Sequence, residues 1–302
     1  KRSEFMTPIS SDPMIFPCGM SRSGTTLLAT ILDSHSQVSL GYELIPPPCE
    51  IPIILTVLEK EMDINGGDFA SYGQNMGDSE FRQERLFLTR CYRTGLNEYE
   101  IRDVLQTLIK NGYSIITTLE DRLYVAWSMA EKCASSRQKN YYGFKLNIPS
   151  LENAYYCFPK GKFIYIIRDP RDVASSHNER NYNRSIEEIG EAWNNYIYCF
   201  EKLNNIKTAA ALIMRYEDIV ANSKNVLPEI FSFLDLPVED AIFSFYSSKA
   251  DVHTHGHPNA ENLKKDFFSN SVGRWQSDLS VENTKIINKL CESYMNCYEY
   301  ES

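Results

Sequence analysis

The stretch Met14–Leu32, MIFPCGMSRSGTTLLATIL, constrains this chain more than any other. Met14–Cys18 is a short apolar run of the kind that forms a buried strand. A turn of small and polar residues follows, Gly19-Met20-Ser21-Arg22-Ser23-Gly24-Thr25-Thr26, and Leu27, Leu28, Ile31 and Leu32 then recur at helical spacing. Strand, small-residue turn and helix in that order build a phosphate cradle. Backbone N–H groups and the positive helix end face an anion, Gly24 lets the backbone come close, and Thr25 and Thr26 add hydroxyl donors. Gly19 and Gly24 keep the spacing of the nucleotide-hydrolysing G-x-x-x-x-G-K-[ST] loop, but Thr25 stands where that loop has its lysine. Arg22 is the only cation within the turn. The residues alone also allow a strand–turn–helix without a ligand, since Gly, Ser and Thr are common in turns. An arginine inside the turn and a double threonine at the helix start weigh toward an anion site.

The rest of the chain alternates apolar runs with helical patterns. Val38–Tyr42 reads as a second strand that delivers Glu43, and Pro46-Pro47-Pro48 then forbids regular structure. Helices are expected over 51–62, 80–95 and 98–110, with a loop or lid at 65–78. Ser114–Thr118 is either a strand or a helix-capping segment, and 122–134 is helical. Tyr141–Leu146 is strand-like and carries Lys145. Ser150 is a good N-cap for a helix ending at Phe158. Phe163–Ile167, FIYII, is the clearest buried strand and runs into Arg168-Asp169-Pro170-Arg171-Asp172. Ile186, Ile189, Trp193, Ile197 and Phe200 form one stripe of a long helix over 185–204. A strand at 211–214, a helix at 223–234 and a closing helix at 281–298 complete the pattern. Strands that read as apolar runs between helices imply an α/β fold with a mostly parallel central sheet. No repeat or linker appears, so one domain is expected.

Composition narrows the partners. A 43% hydrophobic share of 302 residues supports a real core. The formal charge of −9 lacks the basic footprint of a nucleic-acid binder. The eight cysteines form no Cys-x-x-Cys pair, which disfavours zinc and a disulfide framework. Lys1-Arg2-Ser3-Glu4-Phe5 looks like a cloning remnant before Met6, and no long apolar segment appears. The expectation is a cytoplasmic protein without an integral membrane segment.

Ser21-Arg22-Ser23-Gly24-Thr25-Thr26-Leu27-Leu28 resembles the 5′-phosphosulfate loop of sulfotransferases that use 3′-phosphoadenosine 5′-phosphosulfate (PAPS), in the arginine form of the protein-tyrosine and bacterial branch. Four further segments resemble that family in motif order. Arg168 and Ser176, eight residues apart after a strand, match the arginine and serine that hold the nucleotide's 3′-phosphate. The end of a strand is also where open α/β sheets bind ligands, and arginine can clamp a phosphate bidentately; the residues alone equally allow an Arg168–Asp169 ion pair. Glu43 lies 21 positions after Arg22, the separation of loop arginine and catalytic glutamate in the protein-tyrosine branch, although Tyr42 replaces that branch's first glutamate. Without the resemblance, Glu43 reads as a solvated loop residue. Lys145 matches a lysine that contacts the bridging oxygen of the leaving phosphate, but Leu146-Asn147 departs from the usual Lys-Asp-Pro or Lys-Thr-Pro; a surface lysine on an edge strand is the alternative. Arg215-Tyr216-Glu217-Asp218 resembles the R-Y-E-D segment, which implies that Tyr216 approaches the adenine or its ribose; a core tyrosine is the alternative.

Gly273-Arg274-Trp275 resembles the family's G-x-W element, without the Arg-Lys-Gly that cytosolic steroid and phenol enzymes place before it. Lys264, Lys265, Ser269 and Ser271 are the candidates to compensate.

The resemblance implies a three-layer P-loop sulfotransferase fold. It also implies transfer of a sulfonate from PAPS to an acceptor hydroxyl by in-line attack, with 3′-phosphoadenosine 5′-phosphate (PAP) as the product. In this scheme Glu43 is the base, and Arg22 and Lys145 offset charge on the leaving phosphate. Arg22, Ser23, Gly24, Thr25, Thr26, Arg168, Ser176 and Tyr216 hold the nucleotide, and no metal is required. A P-loop nucleotide kinase or NTPase, or a non-catalytic nucleotide-binding module, are the rival readings. The acceptor, whether a small molecule, a glycolipid or a peptide tyrosine, is left open, as is a homodimer. His253-Thr254-His255-Gly256-His257 reads as a solvated loop rather than a metal tract.

Overall fold

The computed structural model describes residues 8–65, 81–148, 150–179, 184–247, 263–267 and 270–300. The expected loop at 65–78 and the histidine run therefore lie outside the described residues, apart from residue 65.

The sheet has five parallel strands: β1 (Ile15–Cys18), β2 (Val38–Gly41), β5 (Tyr141–Phe144), β6 (Lys162–Ile167) and β7 (Ala210–Arg215), in spatial order β2-β5-β1-β6-β7. Two short strands, β3 (Cys49–Glu50) and β4 (Ile115–Ile116), form a separate antiparallel pair. Side chains alternate across a strand, and the alternation divides the core in two. From β6, Phe163, Tyr165 and Ile167 enter one apolar cluster while Ile164 and Ile166 enter the other. Helices α1 (Thr25–Asp33), α9 (Tyr216–Ala221) and α10 (Ser223–Phe233) cover the second face. The first face is larger. It takes α2 (Ile51–Asn65), α3 (Arg82–Arg93), α4 (Glu98–Lys110), α5 (Leu119–Ser136), α6 (Leu151–Cys157), α7 (Pro170–Glu179), α8 (Ile186–Asn204) and the closing helix Val281–Cys297. Phe16 anchors this face, with its ring centroid 5.0–5.2 Å from those of Phe144, Phe158 and Phe163.

The local signals resolve as their chemistry dictates. Thr118 ends the Ser114–Thr118 ambiguity in both ways. Ile115–Ile116 is a strand, and Thr118 then caps α5 by a reciprocal pair with Asp121. Ser185 and Glu188 make the same box at α8. Ser150 precedes α6 but makes no side-chain cap, a correction to the capping expectation: its backbone, at φ −85° and ψ 59°, is not in the extended conformation a capping residue adopts. All eight cysteines are free thiols. No helix among the described residues is long and apolar enough to cross a membrane.

β5 approaches β1 so closely that a Cβ on Gly143 would lie 1.7 Å from the Ile15 carbonyl oxygen. Gly143→Ala should therefore separate the two strands and cost more than about 4 kcal/mol, the range reserved for disrupted packing. Gly112 is the control, with φ at +90° and open space around its Cβ position. Gly112→Ala should cost only about 1 kcal/mol, from backbone conformation alone. Urea unfolding of both variants reads the contrast, and equal losses would refute it.

Candidate active site

The site lies where β1, β2, β5 and β6 end. The loop after β1 bends sharply: Arg22 has φ 75° and Gly24 has φ 98°. At Gly24 the reason is close approach, since a Cβ there would meet the Tyr216 ring at 2.5 Å. Gly24 is also the N-cap of α1 and supplies no side-chain cap, so the helix start presents backbone donors to whatever occupies the loop. Ser23 and Thr25 are buried within the loop.

Two side chains tie the loop to the rest of the site. Arg22 donates from Nε to Ser176 Oγ at 2.8 Å, which joins the loop to α7. Lys145 donates from Nζ to Thr26 Oγ1 at 3.1 Å and lies 2.8 Å from Glu43 Oε1. Its ammonium also sits 4.6 Å from the centroid of the Tyr42 ring. β5 is an interior strand, so Lys145 is buried rather than on an edge. Burial lowers its pKa, and the Glu43 carboxylate opposes that shift.

Glu43 is not a solvated loop residue. Asn147 Nδ2 donates to its Oε1 at 2.6 Å, and Arg90 Nη2 lies 2.9 Å from its Oε2. Neither Arg90 nor Asn147 was anticipated. Asn147 sits where the Lys145 segment departs from the family pattern, and that departure was the available signal. For Arg90 nothing in the sequence points from α3 to Glu43.

At the other end of the site, Arg168 donates from Nη1 to the Arg22 carbonyl at 3.0 Å and from Nη2 to the Ser271 carbonyl. Its guanidinium stacks 4.7 Å from the Tyr216 ring centroid, and Tyr216 Oη lies 3.0 Å from Ser271 Oγ. Arg168 does not pair with Asp169, which instead receives a bidentate grip from Arg171. Arg168 Nε is buried with no hydrogen-bond partner among the described residues. Of the candidates to replace the missing Arg-Lys-Gly, Ser271 reaches the site. Lys264 and Lys265 are exposed, and Ser269 lies outside the described residues.

Seven of the residues singled out in the sequence lie together around two foci. One is Arg22, Thr26, Lys145 and Glu43; the other is Arg168, Ser176 and Tyr216, with Arg22 between them. Backbone donors at a helix start, two arginines and a lysine make a surface for an anionic ligand, and a carboxylate stands beside it.

Comparison with known proteins identifies the family and the fold. Residues 13–240 match the pattern described as Sulfotransferase family, and the chain belongs to that family. It is 24% identical over 271 residues to an uncharacterized protein of Aquifex aeolicus (strain VF5), covering 87% of this chain and 30% of that one. It is 24% identical over 237 residues to the protein-tyrosine sulfotransferase of Drosophila melanogaster, covering 76% of this chain and 39% of that one. The chain therefore spans about a third of the length of these curated relatives. The sulfotransferase domain of the Synechococcus PCC 7002 olefin synthase shares the fold at a TM-score of 0.64, with 19% identity over 96% of each chain. The corresponding domain of the curacin biosynthetic pathway gives 0.59, with 20% identity over 93% of this chain and 98% of that one. Mouse SULT7A1 complexed with PAP gives 0.50, with 15% identity over 96% and 85%.

His177 follows Ser176 on α7 and is buried beside Ser21 of the loop. Burial pushes its pKa down to about 4. Between that value and the ordinary one near 6.5, the unfolded chain binds a proton that the folded chain refuses. This contribution to stability is complete above pH ~6.5 and is lost as pH falls toward about 4. His177→Gln should therefore flatten the acid side of the stability curve by roughly 2 kcal/mol, measured by urea unfolding from pH 7 to pH 4.5. An unchanged slope would remove His177 as a cause.

Proposed function

We propose that the chain transfers a sulfonate from PAPS to an acceptor hydroxyl, with Glu43 as the general base. The observation that carries this reading is the span of Lys145: its ammonium touches Thr26 of the anion loop at one side and Glu43 at the other. A carboxylate beside a cation that also touches the loop supports a base standing next to groups that offset charge on a leaving phosphate.

The nucleotide fits the residues present. The α1 start without a side-chain cap and Arg168 Nε, buried with no partner among the described residues, both favour anionic acceptors. Arg22, Ser23, Gly24, Thr25 and Thr26 would hold the 5′-phosphosulfate, Arg168 and Ser176 the 3′-phosphate, and Tyr216 the adenosine side. When bound, PAPS supplies the sulfonate and departs as PAP. Glu43 takes the hydroxyl proton of the acceptor, while Arg22 and Lys145 offset charge on the bridging oxygen. No residue in this scheme is asked to hold a metal. The acceptor is a small molecule, a glycolipid or a peptide tyrosine. A cytoplasmic location and a homodimer belong to the same proposal, and a screen of hydroxyl compounds with labelled PAPS identifies the acceptor.

Glu43→Gln should retain PAP affinity and lower turnover by roughly 10²–10⁴, the usual range for loss of a general base. Wild-type turnover in that variant would exclude Glu43 as the base. Strictly Mg²⁺-dependent turnover of ATP would replace the whole reading with the kinase one.

The nucleotide is tested separately. Charged hydrogen bonds contribute roughly 1.5–3 kcal/mol each, so a 3′-phosphate held by Arg168 and Ser176 should make PAP bind on the order of 100-fold more tightly than AMP. Arg168→Ala should erase that preference, whereas Arg22→Ala should weaken both ligands. Calorimetry showing equal affinity for PAP and AMP in the unmutated protein would sink the PAPS assignment.

A further inference from the structure

The last turn of α3 lies against the strand end that carries Glu43. Arg90, Arg93 and Thr94 stand at i, i+3 and i+4 and so share one helix face. Each of them reaches the Tyr42–Glu43 dipeptide. Thr94 Oγ1 accepts the Tyr42 N–H at 2.8 Å and donates to the Arg90 carbonyl at 2.9 Å. The Arg93 guanidinium lies 5.8 Å from the Tyr42 ring centroid. Arg90 holds Glu43 Oε2 at 2.9 Å, while Lys145 and Asn147 hold Oε1 from the end of β5. The carboxylate is therefore gripped on both oxygens, from two different elements.

The terminal torsion of a glutamate is broad and roughly two-fold, so contacts at one oxygen alone leave the carboxylate plane loosely defined. A second cation on the other oxygen fixes it. The turn that supplies this cation is itself rigid, since Arg93 and Thr94 are buried. Arg90 and Arg93 also sit at the helix C-terminus, where positive charge is favourable. Lys145 touches both Glu43 and Thr26 of the P-loop motif, whereas Arg90 makes its ionic contact with Glu43.

We infer that Arg90 is the positioning residue for Glu43, holding its carboxylate in the plane from which it meets the acceptor hydroxyl. The inference rests on the sulfotransferase reading for its catalytic meaning. Among the described residues, Lys145, Arg93 and Arg22 are charged groups near the pair, and Arg90 is separable from Lys145 and Arg22 because they also touch or belong to the loop after β1.

The test uses the full chain with Arg90→Met, Arg90→Lys, Glu43→Gln and the Arg90→Met/Glu43→Gln double variant. With labelled PAPS and 2-naphthol as a phenolic probe, Arg90→Met should lower kcat roughly 10- to 100-fold, while the KM for PAPS and the affinity for PAP stay within about twofold. Arg90→Lys should recover most of the loss. In the Glu43→Gln background, Arg90→Met should cost less than about threefold more, because the group it positions is already disabled. Wild-type kcat in Arg90→Met, or equal losses in both backgrounds, overturns the inference. A second arm needs no turnover. In urea unfolding, the double variant should change the equilibrium constant about fivefold less than the product of the two single changes. A purely multiplicative result overturns the Arg90–Glu43 contact. An intact coupling together with no transfer by the unmutated protein to any hydroxyl probe sinks the functional reading instead.

Discussion

An ammonium group in a protein interior is stable only where partners replace the water it has lost. Lys145 is such a group, and its partners come from two other segments: Thr26 from the first turn of α1, and Tyr42 and Glu43 from the end of β2. Burial of this one cation obliges three pieces of chain to converge. The sheet order makes the convergence possible, because β5 lies between β2 and β1 and its end points Lys145 between theirs. Chemistry and topology are then the same requirement: a carboxylate within reach, and a loop whose polar atoms face it.

The parts of the fold that were legible in the sequence are those set by local chemistry. Phe163–Ile167 reads as a buried strand because it must be apolar on both faces, and β6 covers those residues with both apolar clusters. The α8 stripe of Ile189, Trp193, Ile197 and Phe200 is buried throughout. Arg22, Glu43, Lys145, Arg168 and Ser176 stood out through motif order. Arg90 and Asn147 did not, for a physical reason: they meet Glu43 across 47 and 104 residues of chain, and a lone Arg on a helix or Asn after a strand has no pattern of its own. Ser150 shows the converse limit, since the right residue type at a helix start does not guarantee the backbone angle that capping needs.

The Arg168 side of the site depends on a distant piece of chain. Asp172, buried near the start of α7, accepts the backbone N–H of Gly273 at 2.8 Å and of Trp275 at 3.0 Å. Ser175 donates to Asp278 at 2.6 Å. The Trp275 ring lies over the Arg171 guanidinium, with 4.1 Å between them. These contacts seat residues 271–278 on α7 and bring the Ser271 carbonyl to Arg168 and its hydroxyl to Tyr216. Arg168 is thus oriented by main-chain carbonyls from two sides, the loop at Arg22 and the strap at Ser271.

The strap also sets an order in time. Its partners on α7 lie 101 to 103 residues upstream, so during synthesis the sheet, the anion loop and Glu43 can be in place long before the strap exists. Arg168 and Tyr216 acquire their Ser271 contacts only after residues 271–278 have left the ribosome. The half of the site that carries Glu43 and the loop after β1 is therefore encoded early, and the half that faces Arg168 late. A nascent chain halted before residue 271 would carry the Glu43 carboxylate but lack the piece that closes over Arg168.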